Sequence, residues 1–274
     1  MSVPPITTDL AFRLLHAEAE CCLSKLRALQ AVDGNARGVE IARIGGTLLL
    51  AIQSRRLNPY YNRVLDLSPE DTDRLDEILD WMRARDVRYW LDLAPALIDA
   101  PHNPLLGRLA AAGLHPSFFL NVLFARPVDR PAPLPHGVAV DQINLNERGF
   151  DLALVMTEGL DIPEELIDAT RRAAQIEHAA SGWRIYLAAV DGQPAAYAAM
   201  YVHEGMALID AMATRPCYRR LGCQSALLKR CLRDAAREGC EWVVSQTVPS
   251  STSERNFNRG GFSIAYTKPL YSHT

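Results

Sequence analysis

Thr214-Arg215-Pro216-Cys217-Tyr218-Arg219-Arg220-Leu221-Gly222-Cys223-Gln224-Ser225-Ala226-Leu227-Leu228 is the stretch whose reading decides the fold. It closes an apolar run, MALIDAMAT (206–214), that reads as a strand. It then turns through two adjacent arginines and a glycine. Beyond the turn, Ala226, Leu227, Cys231, Leu232 and Ala235 line one face of a helix, and Gly239 sits where a helix stop is expected. The first turn of a helix presents free backbone N–H groups and the positive end of the helix dipole, so a strand–loop–helix of this kind is an anion site. Gly222 lets the backbone approach a phosphate closely, and Arg219 and Arg220 add charge that pairs with phosphate oxygens. A ligand carrying a diphosphate is expected. There is no Gly-Lys-Ser/Thr and no GxGxxG, so neither a Walker loop nor a dinucleotide loop is present.

Working outward, residues 137–143 alternate as a short strand, and 146–157 and 162–178 have helical spacing broken at Asp161-Ile162-Pro163. Strands over 183–190 and 194–203 flank Asp191-Gly192, a strong hairpin signal, and Glu204-Gly205 turns the chain into the strand at 206–214. EWVVSQTV (241–248) is a strand. Ser251 and Glu254 suggest a capping box for a short helix ending near Gly260, and 262–271 form a last strand. The first half repeats part of this order: a helix at 9–30, two strands about Gly45-Gly46, a strand near 61–66, an amphipathic helix at 70–85, a strand at WLDL (90–93), a helix at 103–113 and a strand at 116–125. Both halves follow one β-β-β-α-β-α-β plan. Residues 126–137, RPVDRPAPLPHG, hold four prolines and read as a stiff linker. Domains are therefore expected at 1–126 and 138–274, joined by a proline-rich linker at 127–137.

Composition narrows the function classes. The chain has 274 residues, 49% hydrophobic and 22% charged, which excludes wholesale disorder. A formal charge of −3 argues against a nucleic-acid or anionic-membrane partner. No apolar run approaches the roughly 20 residues of a membrane span. Residues 1–12 show neither a basic nor an apolar signal region, so a cytoplasmic location is expected. The six cysteines form no CxxC pair, and no metal is expected.

The quoted stretch resembles motif A of the GNAT superfamily of acyl-CoA-dependent N-acetyltransferases, Q/R-x-x-G-x-G/A, with Arg219 and Gly222 in the first and middle positions and Gln224 where Gly or Ala is usual. Residues 253–262, Ser-Glu-Arg-Asn-Phe-Asn-Arg-Gly-Gly-Phe, resemble the S-x-R-N-x-x-R-x-G-F ending of one bacterial group of that superfamily. The resemblance covers about residues 138–270. It implies an α/β tandem GNAT-like fold with a mixed sheet, a degenerate first half, and a second half that binds acetyl-CoA or another acyl-CoA as co-substrate. Backbone groups of Met212, Ala213 and Thr214 would hold the pantetheine arm. The N–H groups of Arg219, Arg220, Leu221, Gly222, Cys223, Gln224 and Ser225 would hold the pyrophosphate. Asn256, Phe257 and Arg259 would flank the other side.

The implied activity is direct transfer of an acetyl group to the amine of a small molecule. Departures from the pattern keep two rivals: other acyl-CoA chemistry such as decarboxylation, or acyl-CoA binding without catalysis. Phe257 stands where the superfamily often carries a Tyr that protonates the thiolate. Asp210, on the strand entering the loop, is the leading general base. Period-2 alternation puts it on one face with Met212 and Thr214, and burial there would raise its pKa. His203, Glu204, Glu177 and His178 are weaker candidates, and Gln246 and Thr247 could bind substrate without titrating. Cys223 lies where a helix N-terminus lowers a thiol pKa. In the first half the equivalent loop, 66–71, is acidic and would repel a diphosphate. Tyr60 and Tyr61 within 58–62 could form a wall of the acceptor pocket. The sequence fixes neither the acceptor nor the oligomeric state.

Overall fold

The protein is described here by a computed structural model covering residues 5–95, 104–131 and 133–273. Its first half runs α1 (Thr8–Gln30), β1 (Val39–Ile44), β2 (Thr47–Ile52), β3 (Arg63–Leu65), α2 (Leu75–Arg83), β4 (Trp90–Asp92), α3 (Pro104–Ala111) and β5 (Leu114–Ala125). Its second half runs β6 (Val138–Gln142), α4 (Leu145–Gly159), α5 (Ile167–Glu177), β7 (Trp183–Val190), β8 (Gln193–His203), β9 (Met206–Thr214), α6 (Cys223–Arg237), β10 (Trp242–Thr247), α7 (Thr252–Arg259) and β11 (Ser263–His273). The expected element order holds. The amphipathic stretch at 70–85 opens as a 3-10 helix over Pro69–Arg74 before α2 begins, and Leu75, Ile78, Leu79 and Met82 form its buried face. Position 103, expected to start a helix, lies outside the described residues.

Two compact units result, and they do not follow the expected division. Within the described residues one unit holds 5–122, 247–249 and 264–273, and the other holds 123–246 and 250–263. Nearly all of β11, expected with the second half, belongs to the N-terminal unit. The reason is hydrogen bonding. β11 runs antiparallel to β4, with Leu270 opposite Asp92 and Tyr271 opposite Leu91, and the Ser117 hydroxyl donates to the Leu270 carbonyl at 3.1 Å.

In the N-terminal unit the strand order is β1-β2-β3-β4-β11-β5, with β3 and β4 parallel. The face carrying Leu49, Val64 and Leu91 packs on α2 and α3. The other buried face holds charge. Glu18 of α1, Arg63 of β3, Asp92 of β4 and Lys268 of β11 are all less than a tenth exposed. Arg63 donates to Glu18 Oε1 at 2.8 Å and to both Asp92 oxygens at 2.6 Å, and Lys268 Nζ donates to Glu18 and Asp92. Two cations meet two anions, so each buried charge is compensated. The neighbouring carboxylates push the Arg63 pKa up against its burial, so it stays protonated.

The acidic loop of this unit is turned inward. The buried Asp71 carboxylate accepts from the Gly46 N–H (3.1 Å), the Thr47 hydroxyl (3.0 Å) and the Ser68 hydroxyl (3.2 Å). The segment at 58–62 is a braced turn. Asn62 accepts from the Ile52 N–H at 2.8 Å and donates to the Arg55 and Asn58 carbonyls at 3.0 Å, while Tyr60 accepts from Lys25 at 3.0 Å.

In the C-terminal unit β10-β9-β8-β7-β6 follow in order, with β9 and β10 parallel and the other pairs antiparallel. Asp191-Gly192 and Glu204-Gly205 take positive φ at both positions, as tight hairpin turns require. Tyr186, Ala198, Met200, Ala207 and Ile209 pack on Ala226, Leu227, Cys231 and Ala235 of α6, and Leu123 and Ala125 from the end of β5 join this core. The proline-rich segment is not a free spacer. It lies in this unit and runs along α6: Val128 N–H donates to the Leu232 carbonyl at 3.2 Å, and Asp129 accepts from Arg237 at 3.0 Å. Its position 132 is outside the described residues.

Removing one member of the charge quartet leaves an uncompensated carboxylate inside the N-terminal unit. Lys268→Met is expected to cost about 3–5 kcal/mol, read as a lower urea midpoint. Adding Asp92→Asn should recover part of that loss. A midpoint equal to the parent's would show that the quartet does not hold β11.

Candidate functional site: an anion cleft beside a parted strand pair

The parallel β9–β10 ladder runs from Met206 opposite Trp242 to Ile209 opposite Ser245. There the Ser245 hydroxyl donates to the Ile209 carbonyl at 2.9 Å. The remainder of β9 stays registered with β8 only, because β9 carries an extra residue. Met200 faces Ile209 and Ala199 faces Ala211, so Asp210 is the bulge. A bulge bends its strand, and here it steers residues 211–214 away from β10. The backbone edge of Met212, Ala213 and Thr214 is thereby opened.

The bulge also overturns the alternation expected for Asp210. Met212 packs on the same core as Ile209, three residues earlier, so the strict period-2 alternation is interrupted at Asp210. Asp210 is half-buried and lies two residues before the cleft wall.

The loop after β9 is anchored and then strained. Arg215 grips Glu158 of α4 through two bonds, 2.9 and 2.8 Å, and donates to the Pro194 carbonyl at 2.7 Å. Pro216–Tyr218 make one 3-10 turn. Arg220 takes φ 67° and Gly222 φ 84°, both left-handed. Gly222 is the N-cap of α6 and offers no side chain to its first turn, and that turn carries no acidic residue. The helical ladder begins with Ala226 N–H donating to the Gly222 carbonyl at 3.0 Å. The N–H groups of Cys223, Gln224 and Ser225 precede it and have no acceptor in their own helix. By contrast, Thr7, Asn144 and Ser251 cap α1, α4 and α7 with side-chain oxygens.

These elements line a cleft of about 700 Å³. Met212, Ala213 and Thr214 form one wall. Arg219, Arg220, Gly222, Cys223, Gln224 and Ser225 form the floor, and Asn256 and Arg259 of α7 close the far side. Arg219 and Arg220 are exposed, and Arg219 Nε donates to the Thr214 carbonyl at 3.4 Å. Two expectations are corrected. Phe257 is not on the cleft: it is 2% exposed and meets Phe262 edge-on at 4.9 Å, because its position on α7 faces the core. The Cys223 side chain is also turned into the core, and burial pushes its thiol pKa up, opposing the helix end. Leu221, expected to contribute its backbone N–H, exposes its side chain.

The other candidates sit elsewhere. Glu177 is buried at the end of α5; His178 Nδ1 lies 2.9 Å from the Ala174 carbonyl, its ring edge-on to Trp183. His203 and Glu204 are 3.8 Å apart at a hairpin tip. Gln246 is half-buried and Thr247 buried in β10.

Sequence reasoning missed Gly159, Leu160, Tyr218, Thr252 and Ser253, which also line the cleft. Gly159 ends α4 so close to β9 that a Cβ there would stand 2.9 Å from the Ala213 Cβ and 3.3 Å from the Thr214 nitrogen. The Gly-Leu-Asp-Ile-Pro break was the available signal. Among the described residues no group of three or more His, Cys, Asp or Glu could hold a metal ion, and no helix is long and apolar enough to cross a membrane.

The architecture is an α/β one, a mixed sheet parted beside an uncapped helix start. Residues 152–245 match the family described as the acetyltransferase (GNAT) domain. A GCN5-related N-acetyltransferase from Kribbella flavida aligns over 97% of this chain and 96% of its own, with TM-score 0.70 and 16% identity. A GCN5-related N-acetyltransferase from Sphaerobacter thermophilus aligns over 99% and 96%, with TM-score 0.59 and 14% identity. A tandem GNAT protein from the clavulanic acid biosynthesis pathway aligns over 95% and 92%, with TM-score 0.61 and 15% identity. No curated protein matches the chain in sequence. The residues that match the GNAT domain lie within the C-terminal unit, and the fold of the chain is like that of these GNAT structures, a tandem one among them.

The corrected position of Cys223 has a direct readout. Cys217 is the exposed cysteine, and Cys21, Cys22, Cys223, Cys231 and Cys240 are buried. At pH 7.5 the native chain should release one equivalent rapidly with an aromatic disulfide reagent, and Cys217→Ser should abolish that phase. A fast phase surviving in Cys217→Ser and lost in Cys223→Ser would place the Cys223 thiol in solvent.

Proposed function

We propose that the chain is an acyltransferase that takes an acetyl group from acetyl-CoA and passes it directly to the amine of a small molecule. The observation that carries this reading is the cleft itself. Three helix N–H groups without an intrahelical acceptor, two exposed arginines and an open strand edge converge on one groove of about 700 Å³. That set suits a long ligand with a diphosphate at one end and amide groups along its arm. Gly159 fits it too, since it lets α4 end close against the Ala213–Thr214 wall.

In this reading the N–H groups from Gly222 to Ser225, with Arg219 and Arg220, bind the pyrophosphate. The backbone of Met212, Ala213 and Thr214 holds the pantetheine arm as an added strand would be held. Acetyl-CoA supplies an acyl group already activated as a thioester. The chain contributes positioning and a backbone N–H that polarises the thioester carbonyl beside the bulge. Asp210, carried on the bulge at the head of the opened edge, takes the amine proton directly or through water. Phe257, packed on Phe262, plays no part in proton handling.

Calorimetry with acetyl-CoA, then release of free CoA over a panel of amines, tests the reading. Carbon dioxide release from malonyl-CoA would point to decarboxylation, and binding without turnover on any substrate to a non-catalytic role. Gly222 is a poor probe, because a Cβ there would stand 2.7 Å from Pro135 Cγ. Ser225→Glu is cleaner. A carboxylate in the first turn favours the helix yet occupies the phosphate site. CoA affinity should fall at least tenfold, about 1.4 kcal/mol, with the unfolding midpoint kept or raised. Unchanged affinity would move the phosphate site elsewhere.

Asp210→Asn should lower turnover by roughly 10² or more, a general-base factor, while CoA affinity is largely kept. Parental turnover with the parental pH profile would remove Asp210 as the base.

A further inference from the structure

Three side chains that line the cleft, one on its floor and two on its far side, are joined head to tail. Asn256 Nδ2 donates to Gln224 Oε1 at 2.5 Å, and Arg259 Nη1 donates to Asn256 Oδ1 at 2.8 Å. Gln224 belongs to the first turn of α6, and Asn256 and Arg259 belong to α7. The bonds therefore tie two helices across the cleft that all three residues line. Only one orientation of the Asn256 amide serves both bonds. Turned over, its NH₂ would face the guanidinium, which has donors only, and its oxygen would face the Gln224 oxygen.

The consequence is a sorting of polarity. An unheld glutamine on the first turn of an anion-binding helix can turn either its oxygen or its NH₂ toward a phosphate, and only the NH₂ donates. Here that oxygen is consumed by Asn256, and the Asn256 oxygen is consumed by Arg259. Outside these two bonds the Gln224 NH₂, the other guanidinium donors of Arg259 and the helix N–H groups remain as donors among the residues that line the groove.

We propose that Gln224, Asn256 and Arg259 act as one clasp: Asn256 is a positioning residue that occupies two side-chain carbonyl oxygens and aims Arg259, so that these three side chains present donors to a phosphate-bearing ligand. The clasp explains how Gln224 is tolerated at its position in the loop. The inference rests on the CoA reading of the cleft. It goes beyond that reading by assigning the glutamine and the asparagine a joint role acting through Arg259.

The test is affinity for CoA, by calorimetry on the full chain. Asn256→Leu keeps the volume and removes both bonds. It should weaken CoA about tenfold, the scale of a hydrogen bond to a charged group. Its unfolding midpoint should stay at the parental value, and competition by S-acetylpantetheine, which lacks the diphosphate, should be unchanged. Gln224→Leu and Arg259→Ala should be non-additive by threefold or more when position 256 is Asn, and additive when it is Leu. Parental CoA affinity in Asn256→Leu, or additivity in both backgrounds, overturns the clasp. Equal loss of CoA and S-acetylpantetheine overturns it too, since that is damage to the helix. A parent chain that binds no CoA is a different result: it defeats the reading of the cleft itself.

Discussion

Two parallel strands that stop pairing after four residues set the terms for the C-terminal unit. A parallel ladder satisfies backbone groups evenly, and breaking it leaves donors and acceptors exposed along an edge. The bulge at Asp210 makes that break, and the Ser245 hydroxyl seals its apex by binding the Ile209 carbonyl. Everything nearby keeps the gap from collapsing. Arg215 is clamped to Glu158 and to the Pro194 carbonyl, fixing the start of the loop. Gly159 lets α4 press against β9 from the opposite face. Left-handed turns at Arg220 and Gly222 then aim the bare end of α6 along the opened edge. The functional groups of this cleft are largely backbone atoms, and the side chains serve to keep them unsatisfied.

The N-terminal unit meets the same topological problem in another way. It also has a parallel pair, β3 and β4. Its loop after β3 is an acidic segment whose Asp71 turns inward and consumes the Gly46 N–H and two hydroxyls. The strands beside it carry Arg63 and Asp92, locked to Glu18 and Lys268. Polar groups that the C-terminal unit leaves open are paired within the protein here. Because Lys268 lies on β11, the last strand of the chain completes the charge balance of the first unit. Halves cut at the proline-rich segment would each be missing part of their own sheet or core.

Hydrophobic period, hairpin turns, the glycine after two arginines and the apolar face of α6 are local features, and the sequence alone determined them. They were sufficient for the element order, the anion loop and the GNAT resemblance. Four matters were decided only by tertiary structure. The alternation broke at Asp210 because a bulge is a property of two strands in register, invisible in either one. Phe257 and Cys223 turned inward because α7 and α6 are rotated by what they pack against, Phe262 for one and the sheet for the other. β11 left its own half because hydrogen bonds to β4 and a buried lysine are long-range pairings with no period to betray them. Gln224 is the clearest case. Its sequence position marked a departure from the motif, and only the neighbouring helix, bringing Asn256 within 2.5 Å, shows where its oxygen goes.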